Sequence, residues 1–411
     1  MNPKILTHLK GIVTPRSDLI FNELDIRENV AIIINGTQIA AIDSADVLKQ
    51  QYPDATEIHG QNCWALPGFV DPHTHPVFYK TREEEFEMRI LGKSYEEIAA
   101  QGGGIRNSVR AFRKASFQQL VELTYQRISQ FIEYGTTTIE AKSGYGLSLE
   151  DELKSLRILK KISENLPITI VPTFLGAHEV PDEFRDKRED YIELIIKEMI
   201  PAVAEENLAE FCDVFTEKNV FSIPESEKIL QAAKDHDLKL KLHADELSPL
   251  GGAELAAKMG AISADHLLKV SDKGIKAMRD SGVTAVLLPG TAFFLGKEHY
   301  APARKMIRHG VKVALATDYN PGSSFTQNMN LILSLACTQM KMTPAETIWA
   351  STLHSAGAID RLKQLGSLEV GKKADIVLQQ VPNYQYIPYH YGMNHVKMVI
   401  RHGEVIHHRQ N

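Results

Sequence analysis

The chain has 411 residues, with 43% hydrophobic and 24% charged side chains, which is about the size of a large barrel with an accessory domain. Its formal net charge of −6 argues against a nucleic-acid partner or a polybasic membrane surface. The widely spaced Cys63, Cys212 and Cys337 form neither a CxxC metal pair nor a disulfide framework. No apolar stretch approaches the roughly 18 residues of a membrane span, and the N-terminus lacks the apolar segment of a signal peptide. We therefore expect a soluble cytoplasmic protein.

Both ends of the chain are predicted to be β-rich. In residues 1–64, AIIINGTQIAAI places Asn35-Gly36 between two apolar runs, which is a strong hairpin signal. In residues 365–411, the strand-like runs DIVLQQ and VKMVIRHGEVI follow one another, with His402-Gly403 at a turn. Because similar ends flank a different middle, we expect them to combine into one small β-sandwich domain. Residues 65–364 would form the second domain.

The middle of the chain alternates between apolar, β-branched runs and longer stretches with helical periodicity, such as SFQQLVELTYQRISQFIEYG. Eight such apolar runs lie at 68–73, 136–142, 168–174, 211–216, 238–243, 261–266, 285–290 and 311–318. Continuous apolar strands that alternate with helices are typical of a parallel sheet covered on both faces. Eight of them predict a (β/α)₈ barrel, in which the chemistry takes place at the C-terminal ends of the strands.

Polar side chains follow most of these predicted strands. In GFVDPHTHPVF (68–78), His73 and His75 point to the same side of an extended chain. A lone HxH is more often an ordinary polar strand end than a metal site. The other strand ends, however, carry Glu140, Lys142, His178, Thr216, Glu217, His243, Asp245, Glu246, Asp265, His266, Thr291, Asp318 and Asn320. A sequence selected only for packing would not place so many ligand-type residues there, so the pattern predicts a metal-dependent active site.

These residues resemble the amidohydrolase superfamily, whose members carry HxH on strand 1, histidines on strands 5 and 6, and an aspartate on strand 8. The matching residues here are His73, His75, His243, His266 and Asp318. Strand 4, FCDVFTE, has no lysine at the position of the carboxylated bridge of two-metal members, so the resemblance implies one metal. The motifs AQGGGI, EAKSGYGL, FLGAHEVP, KLHADELSPLGG, SADHL and ATDYNPGSS are together similar to the imidazolonepropionase family of histidine degradation.

The resemblance implies hydrolysis of the cyclic amide of 4-imidazolone-5-propanoate to N-formimidoyl-L-glutamate. His73, His75, His243 and Asp318 would bind one divalent metal, Zn²⁺ or Fe²⁺/Fe³⁺, with Mn²⁺ less favoured. Asp318 would take a proton from water, and His266 would orient that water or stabilise the oxyanion. Glu246 and His178 would contact the ring, one of them transferring a proton. Further contacts to the small anionic substrate would come from Arg82, Tyr145, Asn320, Gly322 and Ser323.

Other functions remain open from the sequence alone. A deaminase of an aminated heterocycle, such as cytosine or guanine, uses the same barrel and ligands. Arg82 and the loop of Tyr145 favour the hydrolase, because a deaminase needs no arginine for a substrate carboxylate. A non-catalytic scaffold is the third possibility, but such relatives usually lose metal ligands. The aromatic run NYQYIPYHYG fits packing in the β-domain and a homodimer contact equally well, and we expect a homodimer.

Overall fold

The computed structural model describes residues 2–93, 97 and 103–410. Its N-terminal elements are β1 (Lys4–Thr7), β2 (Gly11–Thr14), β3 (Asp25–Glu28), β4 (Ala31–Asn35), β5 (Gln38–Asp43), α1 (Ala45–Gln51), β6 (Thr56–His59) and β7 (Trp64–Pro67). The predicted hairpin is confirmed, because β4 and β5 pair in antiparallel register and Gly36 has the positive φ, 58°, that a tight turn favours. A four-stranded sheet forms in the order β5-β4-β1-β6.

Eight parallel strands form the centre of the molecule, which confirms the predicted barrel. They are β8 (Phe69–Asp71), β9 (Thr136–Lys142), β10 (Thr169–Ala177), β11 (Phe211–Thr216), β12 (Lys239–Ala244), β13 (Ser263–His266), β14 (Thr284–Leu287) and β15 (Val313–Leu315). Each strand pairs with the next one along the chain, so the sheet runs in sequence order. All seven residues of β9 are buried, as expected for a strand covered on both faces.

Helices connect and cover these strands. Those in the described residues are α2 (Glu83–Ile90), α3 (Ile105–Lys114), α4 (Phe117–Glu133), α5 (Leu149–Ser163), α6 (Arg188–Leu194), α7 (Ile200–Glu205), α8 (Ile223–Asp235), α9 (Gly252–Met259), α10 (Asp272–Ser281), α11 (Pro289–Phe294), α12 (Ala303–Arg308), α13 (Met329–Met340), α14 (Pro344–Ser351) and α15 (Leu353–Ala358). A 3₁₀ turn (Asp182–Phe184) precedes α6, and a π-helical turn (Ile195–Met199) joins α6 to α7. In α4, Ser116 and Gln119 form a capping box, while Leu120, Ile128 and Phe131 lie on the buried face.

Two barrel strands are shorter than the apolar runs that predicted them. The run 285–290 stops being a strand at Leu287, because Pro289 occupies the first position of α11, where its fixed φ favours a helix. The run 311–318 contributes only Val313–Leu315 to the sheet. Its last residue, Asp318, has a φ of 53° and so has left the extended conformation.

The barrel closes between its first and last strands through a short seam beyond the strands themselves. Thr74 and Tyr319 form a parallel bridge there. The amide of His75 donates to the carbonyl of Tyr319 at 2.8 Å, and the amide of Asp318 donates to the carbonyl of His73 at 3.1 Å. The residues that join the two ends of the barrel sheet are therefore the predicted metal ligands and their neighbours.

A side chain extends this seam towards the strands. The Asp71 carboxylate accepts hydrogen bonds from the backbone N–H and the hydroxyl of Thr317, at 3.1 and 2.6 Å. Val70 of β8 packs in one apolar cluster with Ala356 and Ile359, which belong to α15 and the residue after it. The seam is thus hydrogen-bonded inside and covered by apolar side chains outside.

The C-terminal elements are β16 (Ile376–Gln379), α16 (Tyr386–Tyr389), β17 (Val396–Arg401) and β18 (Glu404–His408). They join strands from the N-terminal end in a six-stranded sheet of order β18-β17-β16-β7-β2-β3. Leu6 and Ile32 of the four-stranded sheet share one core with Ile376 and Met398 of this sheet. Both ends of the chain therefore build one β-sandwich, as predicted. Within the described ranges, no helix has the length and hydrophobicity needed to cross a membrane.

Candidate active site

His73 and His75 follow β8 at the C-terminal end of the barrel, and both are almost completely buried. Their Nε2 atoms lie 3.2 Å apart, as the HxH spacing predicts for side chains on one side of an extended chain. Burial is the main cause that lowers the pKa of both rings well below the usual value for histidine. Both rings are therefore neutral, which is the form that binds metal ions.

Ligand-type side chains from other strands meet these two histidines. His243 lies on β12, His266 ends β13, and Asp318 follows β15. Two overlapping groups have donor atoms within 4.8 Å of one another: His73, His243 and His266, and His73, His75 and Asp318. Asp318 Oδ1 is 3.5 Å from Nε2 of His73 and 3.6 Å from Nε2 of His75. The structure thus brings the four predicted ligands together and adds the His266 ring to their group.

Two aspartates lie behind the histidines. His73 Nδ1 donates a hydrogen bond to Asp265 Oδ2 at 2.6 Å, which leaves the Nε2 lone pair facing the centre of the cluster. His243 Nδ1 lies 3.0 Å from Asp213 Oδ2, within ion-pair distance. Burial alone would lower the pKa of His243, but the Asp213 carboxylate outweighs it and raises that pKa. Asp265 therefore contacts one ring of the predicted ligand set through a hydrogen bond, and Asp213 contacts another at ion-pair distance. Neither contact was predicted from the sequence.

Buried lysines link these aspartates. Lys142 Nζ lies 2.7 Å from Glu140 Oε1, 2.8 Å from Asp213 Oδ2 and 3.9 Å from Asp265 Oδ2. Lys241 Nζ also lies 3.9 Å from Asp265 Oδ2. Burial lowers the pKa of Lys142, but Asp213 and Glu140 outweigh it and raise the pKa, so the amine stays charged. Asp213, an aspartate inside the otherwise apolar strand FCDVFT, is the sequence signal for this network, which was not predicted.

The donor cluster has the chemistry of a divalent-metal site. His73 Nδ1 carries the ring proton and donates it in a hydrogen bond to Asp265, so Nε2 of the same ring is an acceptor. This acceptor faces another one, Asp318 Oδ1. Acceptors that converge in this way are stabilised by a cation between them. The Nδ1 atoms of His75 and His266 are buried and have no hydrogen-bond partner in the described part of the chain. Imidazole nitrogens with one carboxylate suit Zn²⁺, Fe²⁺ or Mn²⁺.

Backbone strain accompanies this cluster. Asp245, His266 and Asp318, each at or just beyond a strand end, have φ of 50°, 75° and 53°, in the left-handed region. Such conformations cost about 1–3 kcal/mol each and persist only where the surrounding structure enforces them. For Asp245, the carboxylate accepts from the N–H groups of Gly251 and Gly252 at 2.8 and 3.0 Å. This anchors the loop that begins with Glu246.

Glu246 and His178 lie beside the donor cluster, as predicted. Glu246 Oε2 is 3.6 Å from His266 Nδ1, and burial raises the pKa of Glu246 to about 7. The His178 ring stacks on that of His75, with centroids 5.3 Å apart and an interplanar angle of 18°. His178 Nδ1 donates to the Gly144 carbonyl at 2.9 Å, and burial lowers the pKa of His178 to about 3. His178 is therefore neutral, with Nε2 as an acceptor.

Tyr145 and Arg82 extend the site outward. The Tyr145 ring is buried, with its centroid 5.5 Å from that of His178. Burial raises the pKa of Tyr145, and the charge of Arg82 acts in the opposite direction. Arg82 precedes α2, and its Nε and Nη2 donate to Glu85 Oε2 at 2.9 and 2.5 Å. The predicted carboxylate-binding arginine is thus already paired with a carboxylate of its own helix.

The loop after β15 meets Arg82. Asn320 Oδ1 accepts hydrogen bonds from the amides of Gly322 and Ser323, both at 2.8 Å. A Cβ added to Gly322 would lie 2.3 Å from Arg82 Nη1, so only glycine lets the guanidinium approach this closely. The structure therefore brings together the predicted contacts of this loop and Arg82. Residues 100–102 of the motif AQGGGI lie outside the described residues.

Solved structures share this fold. The guanine deaminase of E. coli superposes with a TM-score of 0.78 at 15% identity, and the match covers 100% of both chains. An adenosine deaminase from Xanthomonas campestris with bound zinc superposes with a TM-score of 0.73 at 17% identity, covering 98% of this chain and 92% of that one. At such low identity, the similarity shows the fold alone.

Sequence relatives are much closer. The model of the amidohydrolase family matches residues 64–406. The imidazolonepropionase of a Geobacillus species is 50% identical, covering 94% of this chain and 92% of the relative. That of Fusobacterium nucleatum is 47% identical, covering 98% of both chains, and that of Alkaliphilus oremlandii is 46% identical, covering 95% and 93%. The chain therefore belongs to the amidohydrolase family and, within it, to the imidazolonepropionases.

Proposed function

We propose that the protein hydrolyses the ring amide of 4-imidazolone-5-propanoate to N-formimidoyl-L-glutamate, a step of histidine degradation. Support comes from relatives named imidazolonepropionase that match over nearly the whole chain. The single observation that carries the proposal is the buried group of histidines and Asp318 at the barrel mouth, next to an arginine-bearing rim. The group of histidines and Asp318 suits water activation by a metal, and the arginine-bearing rim suits binding of an anionic substrate.

His73, His75, His243 and Asp318 would hold one divalent metal, Zn²⁺ or iron. Such a metal supplies Lewis acidity and makes hydroxide available near neutral pH. Strand β11 ends at Thr216 without a lysine, which favours the one-metal type. Among the candidate ligands, Asp318 has its second oxygen, Oδ2, held by the Thr291 hydroxyl at 2.5 Å. Oδ1 is therefore the oxygen that points towards His73 and His75.

The reaction joins the oxygen of water to the ring carbonyl carbon and breaks the bond from that carbon to the ring nitrogen. Asp318 accepts a proton from the attacking water. His266, beside it, stabilises the negative charge that develops on the carbonyl oxygen. The leaving nitrogen then takes a proton, and the former carbonyl carbon becomes a carboxylate.

The two ring contacts have different roles. His178 Nδ1 donates to the carbonyl of Gly144, so its Nε2 accepts a hydrogen bond from a ring N–H. Glu246 has a pKa raised to about 7 by burial, which suits a group that accepts and returns a proton at neutral pH. We therefore assign proton transfer to the leaving nitrogen to Glu246 and ring orientation to His178.

An assay with purified, metal-loaded protein tests this function. Imidazolone absorbance should disappear while N-formimidoyl-L-glutamate forms in equal amount, and the chelated protein should be inactive. Guanine and cytosine serve as control substrates for the deaminase alternative. Release of ammonia from either, with no turnover of imidazolone propanoate, would overturn the proposal and favour a deaminase. Absence of turnover with all three substrates by the metal-loaded protein would favour the scaffold alternative.

Further properties belong to the same proposal. We place the domain boundaries near those expected from the sequence, 1–64 with 365–411 for the β-sandwich and 65–364 for the barrel. Because β7 pairs with β16, the first segment of the sandwich extends to Pro67. A cytoplasmic location is supported by Cys63, Cys212 and Cys337, all of which are free thiols. A homodimer is supported by the exposed Tyr389 and Tyr391 in the aromatic run, with 79% and 76% of their surfaces accessible. Light scattering after gel filtration would measure the mass in solution.

A further inference from the structure

A second arginine lies next to Arg82, and its hydrogen bonds are incomplete. Arg89, near the end of α2, donates from Nη1 to the Gly322 carbonyl at 2.9 Å. Its Cζ lies 5.6 Å from the centre of the Phe294 ring. The Nε and Nη2 atoms are buried, and no hydrogen-bond partner for them exists among the residues that the structure describes. Buried guanidinium N–H groups are costly to leave unpaired, so these two atoms indicate a missing acceptor.

The unpaired atoms lie on one edge of the guanidinium. The Nε–H and Nη2–H bonds of an arginine point the same way and match the two oxygens of a carboxylate. In Arg82 this same edge is occupied, because both of its atoms donate to Glu85 Oε2. In Arg89 it is unpaired within the described part of the chain. Of the two arginines, Arg89 therefore has the geometry for a two-pronged bond to an incoming carboxylate.

The local charge leads to the same conclusion. Glu85 is buried, and besides Arg82 it accepts from the amide of Gly104 at 3.1 Å. Among Arg82, Glu85 and Arg89, it therefore neutralises one of the two guanidinium groups and leaves one positive charge. Arg82 Nη1 and Arg89 Nη1 both meet Gly322, so the remaining charge lies at the loop that bears the predicted substrate contacts. One carboxylate would balance it.

We propose that Arg89 binds the propanoate carboxylate of the substrate through its Nε and Nη2, while Arg82 contributes only Nη1 and is fixed by Glu85. This inference rests on the proposed function, because it takes the substrate to be an imidazolone with a carboxylate side chain. It makes Arg89 a specificity residue that the sequence analysis did not identify. In this assignment, the residue before α2 and a residue near the end of α2 bind the end of the substrate opposite to the reacting amide.

The test compares Arg89→Gln with wild type on imidazolone propanoate and on an imidazolone that lacks the propanoate. Glutamine keeps a polar side chain with an N–H donor but removes the charge and the two-pronged edge. We expect KM for the first compound to rise about 10- to 100-fold, as for the loss of a charged hydrogen-bonded contact, with kcat nearly unchanged. Turnover of the second compound should not change. Arg157→Gln on α5, whose arginine pairs with Glu206 at the surface, is the matched control and should behave as wild type.

Three outcomes would overturn the inference: an unchanged KM, an equal loss on both compounds, or a fall in kcat alone. Arg89→Lys provides a second test if the glutamine variant folds poorly. It keeps the charge without the two-pronged edge, so KM should rise by a smaller factor, again only for the compound with the propanoate. An inactive wild type would instead count against the proposed function, and the two failures are thus distinguishable.

Discussion

The floor and the rim of the site come from different parts of the fold and carry opposite charge. The floor comprises the residues linked through Lys142 and Lys241 and the histidine cluster, and they lie on or just beyond barrel strands. The rim comprises Arg82, Glu85, Arg89 and the loop 320–323. In the floor, two lysines face the four carboxylates of Glu140, Asp213, Asp265 and Asp318, which gives a formal charge of −2 with neutral imidazoles. In the rim, two arginines face one glutamate, which gives +1.

This difference shows how one pocket can bind two kinds of charge. The floor matches a divalent cation, whereas the rim matches a single carboxylate. The floor lysines have no exposed surface, and each has several partners. Lys142 Nζ contacts Glu140 and Asp213 at 2.7 and 2.8 Å, and Lys241 Nζ donates to the carbonyls of Pro72 and Ala358, both at 3.2 Å. The rim arginines lie just before and near the end of the short helix α2 and remain partly exposed. Changes in the floor should therefore affect metal and chemistry, and changes in the rim should affect substrate selection.

The largest effect is expected from His243→Ala. It removes one of the four proposed ligands, and the other three should bind the metal far more weakly. Metal content and turnover should fall together to background, and wild type should contain one metal per chain by elemental analysis. His407→Ala, a change near the C-terminus, is the control and should keep both. If the variant retains one tightly bound metal, His243 is not a metal ligand.

Asp318→Asn and His266→Ala should each lower kcat by about 10²–10⁴, the usual contribution of a proton acceptor or an oxyanion-stabilising group. Circular dichroism should show an intact fold in both. Because Asp318 is also a proposed ligand, metal content must be measured in the same samples. Near-normal turnover of His266→Ala would show that His266 only fills space in the barrel.

Asp265→Asn tests the layer behind the ligands. The amide keeps the shape of the side chain but cannot hold the His73 Nδ1 proton as a carboxylate does. Metal affinity should fall about 10- to 100-fold, as is usual when a partner behind a ligand is removed. Competition with a chelating dye would measure it without any assay of activity. An unchanged affinity would mean that the ring is held by packing instead.

Arg82→Ala tests the rim. We expect kcat/KM for imidazolone propanoate to fall about 10- to 150-fold, because a hydrogen-bonded charge is lost and Glu85 is left unpaired. Arg82→Lys should restore only part of it, since an ammonium lacks the planar fork. Metal content should not change. Equal impairment of a compound without the propanoate would assign Arg82 a structural role and would separate it from Arg89.

The smallest effect on activity is expected from a change outside both the floor and the rim. Ser116→Ala removes the side chain that caps α4 and should cost about 0.5–2 kcal/mol in the free energy of unfolding. Ser129→Ala, a change at a half-buried position inside the same helix, is its control. Thermal melting measures both, and kcat and KM should match wild type. A change in KM in the capping variant would show that loss of stability can imitate effects at the rim.

The sequence predicted the barrel and the ligands well because each of these signals is local. A buried parallel strand is an apolar run, as in ITIVPTF, and its end is visible in the next few residues. The two interactions that it did not reveal depend on distant partners. Asp213 and Lys142 are 71 positions apart, and only the fold shows that they meet. Arg89 lies in EEEFEMRI, which is indistinguishable from an ordinary solvated helix.

The position of the proposed ligands at the seam of the barrel means that metal binding would also affect the stability of the fold. Asp71 and Thr317, which join there, are 246 positions apart, and the proposed ligands lie on both sides of the junction. An ion held by His73 and Asp318 is therefore a reversible cross-link that fastens the two ends of the sheet into a ring. Cross-links that close long loops restrict the unfolded chain most. Binding of the ion should thus also stabilise the closure of the barrel. When the ion is removed, hydrogen exchange at the amides of His75 and Asp318 should speed up before exchange elsewhere in the barrel.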